Sequence, residues 1–321
     1  MNQGLDRLAA AHGVIRSYRG LDGTISRAPD EAVKAIVDIL GGNEIETAPA
    51  EPEGEWPPPP RVPQGIACYL PDFLRDGRAW GITCQLYGLR SARNWGIGDF
   101  EDLARLGETA ARLGADFLGV NPLHALFLAE PAKVSPFSPS ERTFLNPLYI
   151  AVDQVEDFDR DVDADEEAIR ALRSSELVDY PAVAERKLGA LRRIFTRTRK
   201  RLPEDFEAFR ERGGEALFRY ALFEAISLEM ARRGLGAGWH AWPDEFQDPE
   251  DSAVTRFARE HEDDVGFLIW LQWIADGQLG HAAARICEAG MRIGLYLDLA
   301  VGTAPDGAAT WADRAFTIVG A

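Results

Sequence analysis

The chain has 321 residues, and its 52 Asp and Glu outweigh 35 Lys and Arg to give a net charge of −17. That balance argues against nucleic acid or an anionic membrane as partner, because both reward a basic surface that releases counterions. Hydrophobic residues at 46% and charged residues at 27% exclude a disordered chain, and no apolar run approaches the ~18 residues of a membrane span.

The opening Met1-Asn2-Gln3-Gly4-Leu5-Asp6 lacks the basic start and apolar stretch of a secretory leader, which points to a cytoplasmic protein. Cys68, Cys84 and Cys287 are widely spaced and form no CxxC pair, so neither a disulfide framework nor a zinc site is expected. Leu5, Leu8, Ala9 and Val14 give a short apolar helical face. After a turn at Leu21-Asp22-Gly23, Pro29 opens a second helix with Val33, Ile36, Val37 and Leu40 at helical spacing, closed by Gly41-Gly42. Residues 43–65 turn acidic and then proline-rich (Trp56-Pro57-Pro58-Pro59-Pro60), the composition of an extended linker. The expected organisation is a helical segment over 1–42, a linker over 43–65 and a main domain over 66–321.

Beyond the linker, strand and helix alternate. Residues 79–87 are nearly continuous in apolar and β-favouring types, as in a strand buried on both faces. Asp99 starts an amphipathic helix with Phe100, Leu103, Leu106 and Leu113 on one stripe, closed by Gly114, and Ala115 to Val120 reads as the next strand. This βαβ unit implies a parallel sheet with a right-handed crossover. A loop runs from Asn121 to Asn146, and helical patterns then cover 184–195 (Ala184, Leu188, Leu191, Phe195), 206–230, 254–274 and 279–289. The basic residues Arg192, Arg193, Arg197, Arg199, Lys200 and Arg201 read as a solvated helical face. Strand character returns at Arg292 to Leu299. The expected fold is therefore α/β: a partial TIM (β/α)8 barrel, about its first three strands, with a large helical insertion over about 151–290. A full barrel needs eight strands and roughly 250 residues without insertions.

Gly96-Ile97-Gly98-Asp99-Phe100-Glu101 lacks the third glycine of a dinucleotide fingerprint, and Glu101 would repel a pyrophosphate. Gly234-Leu235-Gly236-Ala237-Gly238 follows a helix and reads as its cap and loop. The five histidines are dispersed, and no GxSxG, HExxH or P-loop pattern occurs. Asp298 falls at the C-terminal end of an apolar parallel strand, where barrel enzymes place their chemistry; the other readings are a helix cap or a buried structural carboxylate. Asn121-Pro122-Leu123-His124 occupies the equivalent rim position after the second strand. Most of the eight tryptophans, including Trp270 and Trp273, read as core, whereas Trp95 in a polar glycine loop could stack on a sugar face.

Gln85-Leu86-Tyr87-Gly88-Leu89-Arg90-Ser91 with Asn94-Trp95-Gly96-Ile97-Gly98-Asp99-Phe100 resembles the amylomaltase family, the 4-α-glucanotransferases or disproportionating enzymes of the α-amylase clan. The likeness continues through Asn121-Pro122-Leu123-His124-Ala125-Leu126, Ser135-Pro136-Phe137-Ser138-Pro139-Ser140 and Asn146-Pro147-Leu148-Tyr149-Ile150. It resumes at Trp270 to Leu279, Gly294 to Gly302 and Trp311-Ala312-Asp313. Leu5-Asp6-Arg7-Leu8-Ala9 and Ser17-Tyr18-Arg19 also resemble the start of longer bacterial members.

The resemblance implies transfer of α-1,4-glucan segments between maltodextrins, in maltodextrin or glycogen metabolism, by retaining double displacement on two carboxylates ~5–5.5 Å apart. It implies no metal or organic cofactor. By resemblance, Asp298 hydrogen-bonds the sugar beside the cleavage point, Ser135 and Phe137 line donor subsites, Asn146 closes their loop, and Asp99 belongs to the Trp-Gly-Ile-Gly-Asp motif, with a structural role as its alternative. His124 and Trp95 complete the expected substrate-binding set. Phe137 stands where the family usually has Tyr, and Leu297 where long members often have Arg. The resemblance also implies that no catalytic residue lies within the chain: the nucleophile, the acid/base glutamate and a stabilising aspartate are expected beyond Ala321, so that the isolated chain is inactive. The alternative is an inert or glucan-binding truncation product without an enzymatic role.

Overall fold

The structure, a computed structural model, describes residues 3–19, 24–40, 70–75 and 77–314. Its internal contacts divide the chain into two units, 1–69 and 70–321. The expected Gly41-Gly42 cap and the linker over 43–65 lie outside the described residues. So does Ala321, the position past which the resemblance sets the catalytic carboxylates.

In the first unit, helices α1 (Gln3–Ala11) and α2 (Asp30–Ile39) flank an antiparallel pair, β1 (Ser17–Arg19) and β2 (Ile25–Arg27). Ala9, Val33 and Val37 are fully buried, with Leu5, Leu8, Val14 and Ala28 packed around them. Ile36 and Leu40, assigned to the apolar stripe by spacing, stay exposed because this small core is filled by the 33/37 pair. The Arg16 guanidinium ties the two helices by pairing with Asp6 and Asp30.

The second unit is helix-rich α/β. After the short α3 (Asp72–Arg75), three parallel strands, β3 (Gly81–Cys84), β4 (Phe117–Val120) and β7 (Gly294–Leu297), form one sheet in the order β3-β4-β7. Cys84, Val120 and Leu297 stand level at its C-terminal end. The expected loop over 121–146 contains a bulged antiparallel pair, β5 (His124–Ala125) and β6 (Glu141–Leu145), too short to leave a periodic signal.

Helix α4 (Phe100–Arg112) forms the crossover between β3 and β4. Asp99 caps it by accepting from the Glu101 and Asp102 N–H groups, and Asp102 reciprocates toward the Asp99 N–H. The expected apolar stripe holds for Phe100 and Leu103 but not for Leu113, which lies past the last helical turn and is exposed. Small residues continue the stripe instead. A Cβ at Gly107 would stand 2.3 Å from Ile286 Cγ1, so the missing side chain is what lets α4 approach α11 (Glu262–Glu288).

The remaining helices are α5 (Arg160–Asp163), α6 (Glu166–Ser174), α7 (Tyr180–Thr198), α8 (Glu204–Arg232), α9 (Asp244–Gln247), α10 (Ser252–Glu260) and α12 (Ala308–Ala312). The 27-residue α11 packs against α4, α7 and α8; it takes in the helix expected over 279–289 as far as Glu288 and the later part of the one expected over 254–274, whose start falls in α10. Helix α8 breaks at Gly214, whose φ of 51° is a left-handed conformation that glycine adopts without a Cβ penalty. The basic residues of α7 and of the turn after it are paired as well as solvated: Arg193 and Arg197 converge on buried Asp163, Arg199 meets Asp263, and Arg201 meets Asp157.

The burial expected on both faces of the first strand is not met. Ile82 packs on the core and Leu118 lies within it, on the side covered by helices, whereas Thr83 and Tyr296 on the opposite side are exposed. Among the described residues no helix is long and apolar enough to cross a membrane. Gly107→Val should force α4 away from Ile286 and cost about 1–3 kcal/mol as an overpacked contact. A lowered urea midpoint with unchanged slope is the expected result, and an unchanged midpoint would show that the α4–α11 contact has slack.

Candidate functional site

The strand register places Gln85, Asn121 and Asp298 one residue past β3, β4 and β7, side by side along one rim. A cavity of about 750 Å³ opens there, lined by these three residues with Thr83, Cys84, Phe137 and Tyr296 among others. Asn121 fixes the rim: its Oδ1 accepts the Leu86 N–H (2.8 Å), and its Nδ2 donates to Pro122 O (2.7 Å) and the Tyr149 hydroxyl (3.2 Å). Burial pushes the Cys84 thiol up, away from the reactive thiolate. A cavity of similar size, about 810 Å³, lies against Glu141, Arg142, Tyr220 and Asp313, but none of the expected substrate-binding residues lines it.

Asp298 is exposed and caps no helix, so neither structural alternative for this carboxylate applies here. Phe137, 60% exposed, lines the same cavity. Ser135, two residues earlier on that loop, is exposed, and its carbonyl closes a turn by accepting the Ser138 N–H (3.2 Å).

His124 holds backbone rather than offering a free nitrogen. Its Nε2 accepts the Ala300 N–H (3.1 Å), while Arg142 donates to the Ala300 and Val301 carbonyls (3.2 and 2.8 Å). The segment that follows Asp298 is thereby anchored to the β5–β6 pair.

Three expected ligands are placed elsewhere. Trp95 is 4% exposed and meets Phe158 edge-on at 6.4 Å, so it presents no face to a sugar; the surrounding glycine turn folds inward. Asn146 is buried, its Oδ1 accepting the Leu148 N–H (3.0 Å) to cap a short turn at Pro147–Tyr149. Asp99 is 1% exposed and receives Arg93 through both oxygens (2.6 and 2.8 Å).

Arg93 also donates to Asp102 (3.0 Å) and, through two nitrogens, to Asp153 (3.0 and 2.5 Å); Asn94 adds a bond to Asp102 (2.8 Å). Burial alone would lower Arg93, but Asp153 and Asp99 hold it above its ordinary value. Burial raises Asp99 in spite of Arg93. Lys187, fully buried and donating to Leu148 O (2.6 Å), is pushed by burial down to about 8, with Asp99, Asp102 and Asp153 opposing. These charges brace the turn and lie away from the cavity. Gln85 and Tyr296 were missed as lining residues, although a side-chain amide inside the apolar run over 79–87 is a signal that could have found Gln85. Among the described residues no cluster of three or more His, Cys, Asp or Glu could hold a metal.

Comparison with known proteins shows the family and the fold. The family model described as 4-alpha-glucanotransferase matches residues 84–320. The 4-alpha-glucanotransferase of Haemophilus influenzae is 35% identical over 272 residues, covering 76% of this chain and 38% of that protein. The Mycobacterium tuberculosis protein of the same name is 38% identical over 260 residues, covering 76% and 35%. The chain thus spans little more than a third of the length of these relatives. The crystal structure of amylomaltase from Corynebacterium glutamicum superposes with a TM-score of 0.61 at 24% identity, over 97% of this chain and 56% of that one. Amylomaltase from Streptococcus agalactiae in complex with acarbose gives 0.60 at 15% identity, over 74% and 46%. The chain belongs to the 4-alpha-glucanotransferase family and shares the amylomaltase fold.

Two outcomes follow. Arg93→Met strands Asp99, Asp102 and Asp153 without their common cation and should cost about 3–5 kcal/mol, read as a fall in the denaturant midpoint; a change under about 1 kcal/mol would mean that the carboxylates take up protons or water at little cost. Burial lowers His124 below 6.5, with Asp298 opposing, so the folded state binds its proton later than the unfolded state. Its contribution is complete above pH ~6.5 and is lost as pH falls through the lowered value. Amide exchange at Ala300 should accelerate relative to α4 as pH drops from about 7 to about 5, and His124→Gln should flatten that response. An identical response in both proteins would remove His124 as the cause.

Proposed function

We propose that this chain forms one wall of the glucan cleft of a 4-α-glucanotransferase, which moves α-1,4-glucan segments between maltodextrins. In this reading β3, β4 and β7 are the opening strands of a (β/α)8 barrel, residues 151–290 are its helical insertion, and the protein works in the cytoplasm. The observation that carries the reading is Asp298, an exposed carboxylate past β7 that shares a cavity with the Phe137 ring in a chain of this family. A carboxylate that accepts sugar hydroxyls beside an aromatic face is the chemistry of pyranose recognition.

Retaining transfer needs two carboxylates, one attacking the anomeric carbon and one protonating the leaving oxygen, ~5–5.5 Å apart. The residues that line the cavity include a single carboxylate, Asp298. Asp298 is therefore assigned to substrate binding. Nucleophile and acid/base must be supplied by other residues, in this reading ones beyond Ala321, and the 321-residue chain by itself is expected to bind glucan without transferring it. The same single carboxylate favours, as second reading, a glucan-binding chain with no enzymatic role.

Calorimetry with maltoheptaose and incubation with maltotriose test the binding role of Asp298 and the absence of transfer by this chain. The chain should bind maltoheptaose, and Asp298→Asn should weaken binding about tenfold with an unchanged melting temperature, the worth of one charge-assisted hydrogen bond. No glucose should appear from maltotriose. Glucose with longer maltodextrins would instead reveal a complete catalytic pair within the chain, and equal losses of binding and melting temperature in Asp298→Asn would make Asp298 a structural residue.

A further inference from the structure

Glu224 sits in α8 among Phe223, Ala225 and Ile226, with 0% of its surface exposed. A carboxyl group there is costly unless a specific contact compensates it. Its Oε2 accepts the N–H of Leu128, 96 residues away in sequence (3.3 Å), while Oε1 accepts no hydrogen bond. The Ser140 hydroxyl lies beside the carboxyl and favours its charged form without reaching Oε1 as a normal hydrogen bond.

Leu128 and Ser140 are the two ends of the loop that carries Ser135 and Phe137. Both ends are buried, whereas residues 132–135 and 137–138 between them are exposed. The neck continues into the segment after Asp298. The Ser140 hydroxyl accepts the Ala308 N–H (3.0 Å), its carbonyl accepts the Ala309 N–H (3.0 Å), and Pro139 O accepts the Ala304 N–H (2.7 Å).

We propose that Glu224 is a positioning residue for the glucan-facing loop: its carboxyl holds the Leu128 end of residues 128–140, beside Ser140 at the other end, and so sets where Phe137 stands beside Asp298. The assignment to glucan rests on the function proposed above; the mechanical role does not.

Burial pushes Glu224 up to about 8, against the opposing Leu128 N–H and Ser140 hydroxyl. The ionisable groups on the elements around it include Tyr220, one turn earlier on α8, Glu141 and Arg142 just after Ser140 on β6, and Lys133, which pairs with Glu130 and Asp306. Helix α11 presents the neutral Gln272 to the Tyr220 hydroxyl. The folded state keeps its proton where the unfolded state has released it, so the neck stays neutral and dry at neutral pH and becomes charged as pH rises through about 8. An ionised carboxylate with a bare oxygen draws water into the neck and loosens the loop.

The test compares wild type, Glu224→Gln and Glu224→Leu by hydrogen exchange of residues 128–140, referenced to α4, and by maltoheptaose calorimetry, at about pH 7 and about pH 9. Wild type should lose about tenfold in loop protection and in affinity at the higher pH. Glu224→Gln, which keeps an acceptor and cannot ionise, should hold both. Glu224→Leu should show the loosened loop and about tenfold weaker binding already at pH 7, with a melting temperature that does not fall. Wild-type behaviour in Glu224→Leu, or the same pH response in wild type and Glu224→Gln, overturns the proposal. If Glu224→Leu does not fold, the Glu224→Gln comparison decides alone. If no protein binds maltoheptaose, the glucan reading fails and loop exchange still decides the role of Glu224.

Discussion

The position of every rim residue depends on how Asp116 stitches the opposite end of the sheet. Its N–H donates to Trp80 O (2.7 Å), and its carboxylate accepts the Trp80 N–H (3.0 Å) and Arg292 Nε (2.5 Å). Its carbonyl accepts the Ile293 and Gly294 N–H groups (2.8 and 3.1 Å). One residue thus ties the entry of β4 to the entries of both neighbours, and the Arg292 guanidinium holds its carboxyl below the usual range. Side chains alternate between faces with period two, so a slip of one residue in β7 would carry Asp298 away from its place in the row with Gln85 and Asn121.

The turn between β3 and α4 obeys a different constraint. Five ionisable side chains, Arg93, Asp99, Asp102, Asp153 and Lys187, share a largely dry region in which Arg93 is the common donor to three carboxylates. Networks of this kind add little net stability compared with apolar packing, yet they tolerate only one geometry. That explains how a turn rich in glycine and polar residues can have most of its side chains buried: Trp95 and Ile97 pack into the core once the backbone is held by charge.

Much of the fold was legible from periodicity. The helix after Asp99, the strands on either side of it and the strand before Asp298 fall where the apolar spacing and the N-cap put them, because sheet burial and capping leave local marks. The β1–β2 and β5–β6 pairs were not legible, since two to five residues carry no period. The site was only partly legible. Asp298 and Phe137 meet at one cavity, but Trp95, Asp99 and Asn146 share the motif for reasons of folding: a short polar run looks the same whether it binds a ligand or its own backbone. Glu224 carried no signal at all, because a lone acid in an amphipathic helix reads as solvent-facing until its partner on a distant loop is known.

The outer edge of β7 pairs with no strand among the described residues, and Tyr296, Leu297, Leu299 and Val301 stand exposed along and just past it, Val301 at 94%. An open backbone ladder bordered by apolar side chains is a template for self-association. What opposes it is mutual repulsion between molecules of charge −17, which acts over about 8 Å at physiological ionic strength and about 3 Å in molar salt. For these 321 residues taken by themselves, electrolyte then governs colloidal behaviour: dilute buffer keeps copies apart, and concentrated salt lets the sticky edge find its own kind.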